Sequence, residues 1–176
     1  LVGVLKTDNS LYASDFRAYE RTFSLITQVV GRSGRGGKRG RALIQTYSPE
    51  HYVLTLAAKQ NYPAFYEEEI KLREAMLYPP FCDVVMIGFS SLMDRECAEA
   101  ARKFAAMLAE NAKPYGERLP LRTLGPAPSA IGRVNGRYRQ RLMIKCRNSK
   151  SLRALIESTM KQAYNDRAFH NVSFYA

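Results

Sequence analysis

Strand-like and helix-like segments alternate through the later part of the chain in an order that fits few folds. Strands are predicted where apolar and polar residues alternate, and helices where apolar residues recur at helical spacing. The predicted segments are a strand at 83–91, a helix at 94–113, an extended stretch at 123–134, a strand at 139–147, a helix at 149–165 and a strand at 172–175. This βαββαβ order predicts a four-stranded sheet with two helices on one face, which leaves the other face for a partner.

The earlier part of the chain has a different pattern. Its segments are a buried strand at 1–5, a polar loop at 7–14, an amphipathic helix from Ser14 or Asp15 to Val30, and a strand at 41–47. This order is typical of the tail of a doubly wound α/β layer. The fold class is therefore α/β followed by α+β. We expect a lobe tail at 1–47, a helical connector at 48–80 that ends at Tyr78-Pro79-Pro80-Phe81, and a basic domain at 81–176.

Charge suggests the kind of partner. The 176 residues carry a formal net charge of +11, which favours a polyanion through phosphate contacts. Residues 1–80 hold 11 Lys and Arg against 8 Asp and Glu, whereas residues 81–176 hold 16 against 8. The later part is therefore the better candidate for a nucleic-acid surface.

Several classes of protein are disfavoured. Cys82, Cys97 and Cys146 lack the spacing of a zinc site or a disulfide framework, so no metal site is predicted. Unpaired thiols fit a reducing cytoplasm, and no apolar run is long enough to span a membrane. The chain begins and ends with strand-like runs and has no initiator Met, so we expect it to belong to a longer protein.

A motif rich in glycine and arginine follows the first predicted helix. It reads Gln28-Val29-Val30-Gly31-Arg32-Ser33-Gly34-Arg35-Gly36. A helical turn would put Arg32 and Arg35 on one side, where two guanidinium groups can neutralise charge on a transferring phosphoryl group. The alternative is a basic loop that contacts nucleic acid. The ordered spacing between a helix and a strand favours the phosphoryl-transfer role.

The motif Q-x-x-G-R-x-G-R resembles motif VI of superfamily 2 helicases. Further segments are similar to the primosomal protein N′ family of replication-restart helicases, and the similarity extends over nearly the whole chain. These segments are 15–23, 25–29, 43–47, 65–69, 73–81, 125–128, 136–139 and 142–145. Val30 and Ser33 depart from the family pattern, in which alanine is common, but neither change removes a charged group.

The resemblance implies that residues 1–47 end the second RecA-like lobe of an ATP-dependent 3′-to-5′ DNA helicase. It implies catalytic roles for Arg32 and Arg35 at the γ-phosphate, and for Gln28 in sensing nucleotide or coupling it to DNA. ATP and Mg²⁺ would require upstream sequence, because the chain has neither a phosphate loop nor an acidic magnesium motif. Zn²⁺ would also bind upstream. We therefore expect this chain alone to hold no cofactor and to be inactive as an ATPase.

The resemblance also implies that residues 81–176 bind DNA with a fold similar to a small-subunit ribosomal protein. The candidate DNA-binding residues are Arg133, Arg137, Tyr138, Arg139, Arg141 and Lys145. The arginines at 137, 139 and 141 alternate with period two, so they share one strand face. Phosphates would bind the cations, and the tyrosine could stack a base. The alternative is a solvated polar strand face.

A second basic group surrounds the start of the last predicted helix. Arg147, Lys150 and Arg153 add positive charge to a helix amino terminus, which favours an anion. In the family that the chain resembles, the acidic tail of single-stranded DNA-binding protein docks on this domain. These three residues are therefore candidates for that partner, and ordinary solvent exposure is the alternative.

Two functions stay open at this point. By resemblance, the parent protein is a bacterial cytoplasmic helicase that recognises stalled or branched forks and restarts replication by primosome assembly. Its partners would be branched and single-stranded DNA, single-stranded DNA-binding protein and other primosome proteins, and no membrane. The alternative is a stand-alone basic nucleic-acid-binding module without motor activity. A phosphate loop upstream in the parent gene would favour the helicase.

Overall fold

A computed structural model describes residues 1–33 and 41–176, and for Ser33 it describes the backbone alone. Arg35 therefore lies outside the described residues. The chain forms two compact units, Leu1–Met76 and Leu77–Ala176.

The first unit is mainly helical. Its elements are β1 (Val2–Val4), α1 (Thr7–Leu11), α2 (Ala18–Ser33), β2 (Ala42–Ile44), α3 (Tyr52–Ala58) and α4 (Tyr62–Met76). β1 and β2 are parallel neighbours, with Gly3 opposite Leu43. The predicted polar loop at 7–14 is wrong in part, because α1 occupies its first half. Burial of Thr7 and Leu11 stabilises this short helix against the rest of the unit.

One apolar core joins α1 to α4. Its buried members are Leu11, Phe23, Ile26, Val53, Leu54, Ala57 and Phe65. The rings of Phe23 on α2 and Phe65 on α4 are stacked with centroids 4.2 Å apart. Residues from the predicted lobe tail and from the predicted connector therefore share a single core.

The second unit confirms the predicted four-stranded sheet. Its elements are β3 (Asp83–Ser91), α5 (Asp94–Ala112), β4 (Leu121–Val134), β5 (Arg137–Cys146), α6 (Lys150–Tyr164) and β6 (Ser173–Tyr175), with short 3₁₀ turns at Lys113–Arg118 and Arg167–Phe169. The strand order is β4-β5-β3-β6. All three strand pairs are antiparallel, as the split-βαβ order requires.

The core of this unit defines the two faces of its sheet. Ile87 and Phe89 on β3 and Leu142 and Ile144 on β5 are fully buried in a cluster with residues of α5 and α6. Because side chains alternate along a strand, their neighbours in sequence point to the opposite face. The residues between these core positions therefore decide what that second face can bind.

Candidate nucleic-acid interface

Three arginines of β5 lie on the sheet face opposite the helices. Arg137, Arg139 and Arg141 alternate with Gln140 and Leu142, which are buried on the helix side. All three arginines are partly exposed. The predicted sharing of one strand face by these residues therefore agrees with the geometry, which gathers three guanidinium groups along one strand.

Neighbouring strands fix two of these guanidinium groups. Arg137 donates from Nε to the hydroxyl of Ser90 (3.0 Å), and from Nη2 to the Ser90 carbonyl (3.0 Å) and the Ser173 hydroxyl (3.4 Å). Arg139 donates from Nη2 to the phenol oxygen of Tyr175 (2.9 Å). These bonds reduce the conformational freedom that the side chains would lose on binding a phosphate.

Strand register adds a fourth arginine that the sequence pattern did not single out. Arg122 on β4 lies opposite Lys145 on β5, while its neighbour Leu121 packs against the helix-side core. Arg122 is exposed and therefore extends the cationic row across a second strand. We call Arg122, Arg137, Arg139 and Arg141 the arginine face.

The arginine face has no opposing carboxylate in the sheet. In the four strands, all of which lie within the described residues, the positions on this face beside the basic residues hold Val84, Met86, Gly88, Ser90, Leu124, Ala127, Met143, Ser173 and Tyr175. Like charges on adjacent strand positions repel one another, and an anionic ligand relieves that repulsion. The local charge pattern therefore suits a polyanion.

Lys145 differs from the arginines because it is buried. Only 8% of its surface is exposed, and its ammonium lies 3.6 Å from the centre of the Tyr78 ring. Burial lowers the pKa of Lys145, the Cys82 thiol acts in the opposite direction, and Arg122 lowers it further. The structure therefore does not bring Lys145 to the exposed surface on which it was predicted to bind DNA.

Tyr138 and Arg133 lie apart from the arginine face. Tyr138 packs partly against the helix-side core, and the guanidinium carbon of Arg133 lies 4.8 Å from the centre of its ring. Tyr138 was predicted to stack a base beside the arginines, but it points to the other side of the sheet. Tyr138 and Leu142 are four positions apart along β5, and an even separation puts two strand residues on the same face, so the sequence contained the signal for this placement.

The basic group at the start of α6 is exposed. Ser149 caps the helix by accepting from the Leu152 amide at 3.1 Å, so the helix end already has a side-chain cap. Arg153 donates to the Asn148 side chain at 3.1 Å, and Arg147 and Lys150 are exposed. The three basic residues are thus exposed at the start of the helix.

Part of the predicted nucleotide motif lies on α2 in the first unit. Gln28 and Arg32 are one helical turn apart and both are exposed. Arg32 also suits the last turn of a helix, where a cation complements the partial negative charge. Arg35 lies outside the described residues, so the predicted arginine pair stays a prediction.

Residues 1–33 and 41–176, the ranges that the structure describes, hold neither a candidate metal cluster nor a candidate membrane span. Within them, no three His, Cys, Asp or Glu side chains cluster as a metal site would require. No helix in those ranges combines the length and apolar character needed to cross a bilayer.

The sequence model of a known protein family matches the second unit. Its description is "Primosomal protein N C-terminal domain", and the match covers residues 74–174. The chain belongs to the primosomal protein N family. The match begins near the boundary between the two units and ends within β6, so the arginine face lies on the family's carboxy-terminal domain.

Relatives extend the similarity into the first unit. The chain is 37% identical over 161 residues to a replication restart protein PriA from Bacillus subtilis, which covers 92% of the chain and 19% of that relative. It is 38% identical over 145 residues to the protein of the same name from Synechocystis, with 82% and 17% covered. The chain thus spans about a fifth of the length of these curated relatives.

Proposed function

We propose that this chain is the carboxy-terminal part of a replication-restart DNA helicase, and that its second unit binds branched and single-stranded DNA through the arginine face. The observation that carries the proposal is the row of partly exposed guanidinium groups at Arg137, Arg139 and Arg141 on a sheet face without carboxylates. The relatives are replication restart proteins by name, which supports the role in replication restart.

The geometry suits phosphate contacts that are independent of sequence. Guanidinium groups bind phosphate oxygens with two parallel N–H donors, and they stay charged at all physiological pH values. The arginines of β5 are spaced two residues apart, about 7 Å along an extended strand, which is comparable to the spacing of phosphates in a stretched single strand. Base identity would contribute little to such contacts.

The first unit would contribute to the motor of the parent protein. In this proposal residues 1–47 end the second RecA-like lobe, and Arg32 and Gln28 contact ATP bound mainly by upstream sequence. ATP with Mg²⁺ would supply the free energy for 3′-to-5′ unwinding, while these two side chains position the phosphate charge. In this proposal Zn²⁺ would bind upstream of this chain.

The exposed basic group at Arg147, Lys150 and Arg153 would bind an acidic peptide tail, in keeping with a contact to single-stranded DNA-binding protein during primosome assembly. Charge reversal at Lys150 and Arg153 should abolish binding of an acidic peptide and preserve DNA binding at the arginine face. Unchanged affinity for the peptide would contradict this part of the proposal.

A comparison of two DNA ligands tests the main proposal. The chain should bind a three-way branched DNA with single-stranded arms more tightly than a duplex of the same total length at equal salt, as measured by fluorescence anisotropy. Lys145→Met serves as a control that should bind like the wild type. Equal affinity for the two DNAs would contradict recognition of branched structure, and no binding to either would contradict the interface itself.

A separate measurement tests the motor assignment. In the full-length protein, Arg32→Ala should reduce DNA-stimulated ATP hydrolysis by at least about tenfold, because arginine contacts to a transferring phosphoryl group contribute large factors to turnover. DNA binding by the same variant should be unchanged. Wild-type turnover in Arg32→Ala would contradict the proposed catalytic role and leave the stand-alone binding module as the better account.

A further inference from the structure

A cleft of about 560 Å³ opens beside Arg137, at one end of the arginine face. It lies between the turn that joins β3 to α5 and the loop that precedes β6. Its lining includes Leu92, Met93, Glu96, Arg137 and Asn171. The volume falls in the range of roughly 300–1,000 Å³ that small-ligand sites occupy.

Arg137 connects the cleft to the arginine face. Its Nε and Nη2 groups are held by Ser90 and Ser173 at 3.0 to 3.4 Å. The two N–H groups of Nη1 have no partner among the described residues, and Arg137 lines the cleft. The guanidinium is thus fixed in place with donors available to an acceptor that enters from outside.

The cleft contains a carboxylate as well as a cation. Glu96 on α5 accepts from the Ser91 hydroxyl at 3.3 Å through Oε2, and it lines the same space as Arg137. A carboxylate repels a phosphate, whereas it accepts readily from an amino or ring N–H group. Donors at Arg137 and Asn171 together with an acceptor at Glu96 match the mixed hydrogen-bonding edge of a nucleobase.

Apolar side chains supply the remaining wall. Leu92 is 64% exposed and Met93 is 59% exposed, although both are apolar and adjacent in sequence. Together with Val172 they give the cleft a surface on which a flat heterocycle can lie. Ordinary phosphate contacts need no such surface, because the backbone of a nucleic acid is polar.

We propose that this cleft takes one unpaired nucleobase of the single strand whose phosphates lie on the arginine face. The inference rests on the proposed function, since a strand must first bind the arginines. It adds a base-binding site that would distinguish single-stranded DNA from a duplex, in which the same base edges are paired and stacked. Phosphates would stay on Arg139 and Arg141, outside the reach of Glu96.

The test compares two single strands that carry the same number of phosphates. One is a fluorescein-labelled strand of about 15 nucleotides, within the site sizes typical of single-strand binding proteins, and the other has the same length but lacks every base. The wild-type chain should bind the intact strand at least about fivefold more tightly, the factor that corresponds to about 1 kcal/mol of base contact.

Two matched double variants test whether the cleft causes the preference for the intact strand. Leu92→Ala with Asn171→Ala should weaken binding of the intact strand about fivefold and leave binding of the abasic strand unchanged, which also shows that the variant is folded. Ile131→Ala with Asn165→Ala removes the same kinds of side chain outside the cleft, where Ile131 is 65% exposed. This control should behave like the wild type.

Each outcome decides a different claim. If the cleft variant keeps the wild-type ratio of affinities, or if the wild type binds both strands equally, the nucleobase site is wrong while the arginine face stands. If neither strand binds to the wild type, the proposed nucleic-acid interface is itself contradicted, and the nucleobase site falls with it.

Discussion

The ring of Tyr175 lies directly against Gly88 on the arginine face. A Cβ atom built at position 88 would stand 2.7 Å from both Cε2 and the phenol oxygen of that ring. The same phenol oxygen accepts from Arg139. Glycine on β3 therefore lets β6 place a tyrosine flat on the sheet, and the tyrosine in turn orients an arginine.

This contact predicts coupling between positions 88 and 175. Gly→Ala in a strand stabilises a protein by about 0.4–1 kcal/mol when the new methyl group meets no obstacle. Gly88→Ala should show that gain in a Tyr175→Ala background and lose most of it in the wild type, where the ring must move aside. Urea denaturation of the four proteins measures the difference as a double-mutant cycle. Equal effects in both backgrounds would show that the ring does not rest on the glycine.

Burial of Lys145 makes the stability of the second unit depend on pH. Because burial lowers the pKa of Lys145 below the ordinary value of 10.5, the unfolded chain binds this proton more tightly than the folded chain does. Stability should therefore rise with pH in the alkaline range just below that value. The measurement compares the free energy of unfolding of the wild type with that of Lys145→Met at about pH 7 and about pH 9.5.

The direction of the pH effect on stability follows from the lowered pKa of Lys145. The wild type should gain stability relative to Lys145→Met as the pH increases, since the charge that burial disfavours is being lost. Subtracting the two proteins removes the titration of the other lysines and tyrosines. A difference that is constant or that shrinks with rising pH would contradict a lowered pKa for the buried Lys145 ammonium.

A buried ion pair should hold α4 in the first unit. Glu69 is 6% exposed, and it accepts from Nε of Arg73 at 2.8 Å. Arg73 also binds Glu20 on α2 at 2.8 Å. Arg73→Ala removes a cationic partner of the buried Glu69 carboxylate, which keeps the Tyr52 hydroxyl as a donor at 3.4 Å. The unit should therefore be destabilised by about 3 kcal/mol, the lower end of the range for a broken buried pair.

The exposed pair between Lys71 and Glu68 on the same helix is the matched control, at 3.3 Å. Lys71→Ala should change the free energy of unfolding by less than about 1 kcal/mol, as surface pairs generally do. Thermal or urea denaturation distinguishes the two variants. Similar effects of Arg73→Ala and Lys71→Ala would show that the pair with Glu69 is not a structural anchor.

Much of the second unit could be predicted because its periodicities are strong. The predicted strand at 83–91 matches β3, and the predicted helix at 94–113 ends one residue beyond α5. Each of these segments has one apolar face, so local pattern and tertiary burial agree. The first unit was harder, since α1 is held by the burial of Leu11 rather than by its own short polar sequence.

The site was predictable only where a single strand determines it. Alternation along β5 was enough to group Arg137, Arg139 and Arg141. Arg122 was missed because the register between β4 and β5 cannot be read from either strand alone. The burial of Lys145 depends on a contact with Tyr78, a residue far away in sequence, so a pattern of charges could not reveal it.

The most direct test of the arginine face is the salt dependence of DNA binding. The logarithm of the association constant for single-stranded DNA should fall linearly with the logarithm of salt concentration. Arg139→Gln with Arg141→Gln should reduce that slope by about 1.4, since each phosphate contact on a single strand contributes about 0.7. Arg95→Gln with Arg102→Gln removes the same charge from α5, on the other side of the sheet, and should leave the slope nearly unchanged. Equal slopes for the two double variants would contradict the assignment of phosphate binding to the arginine face.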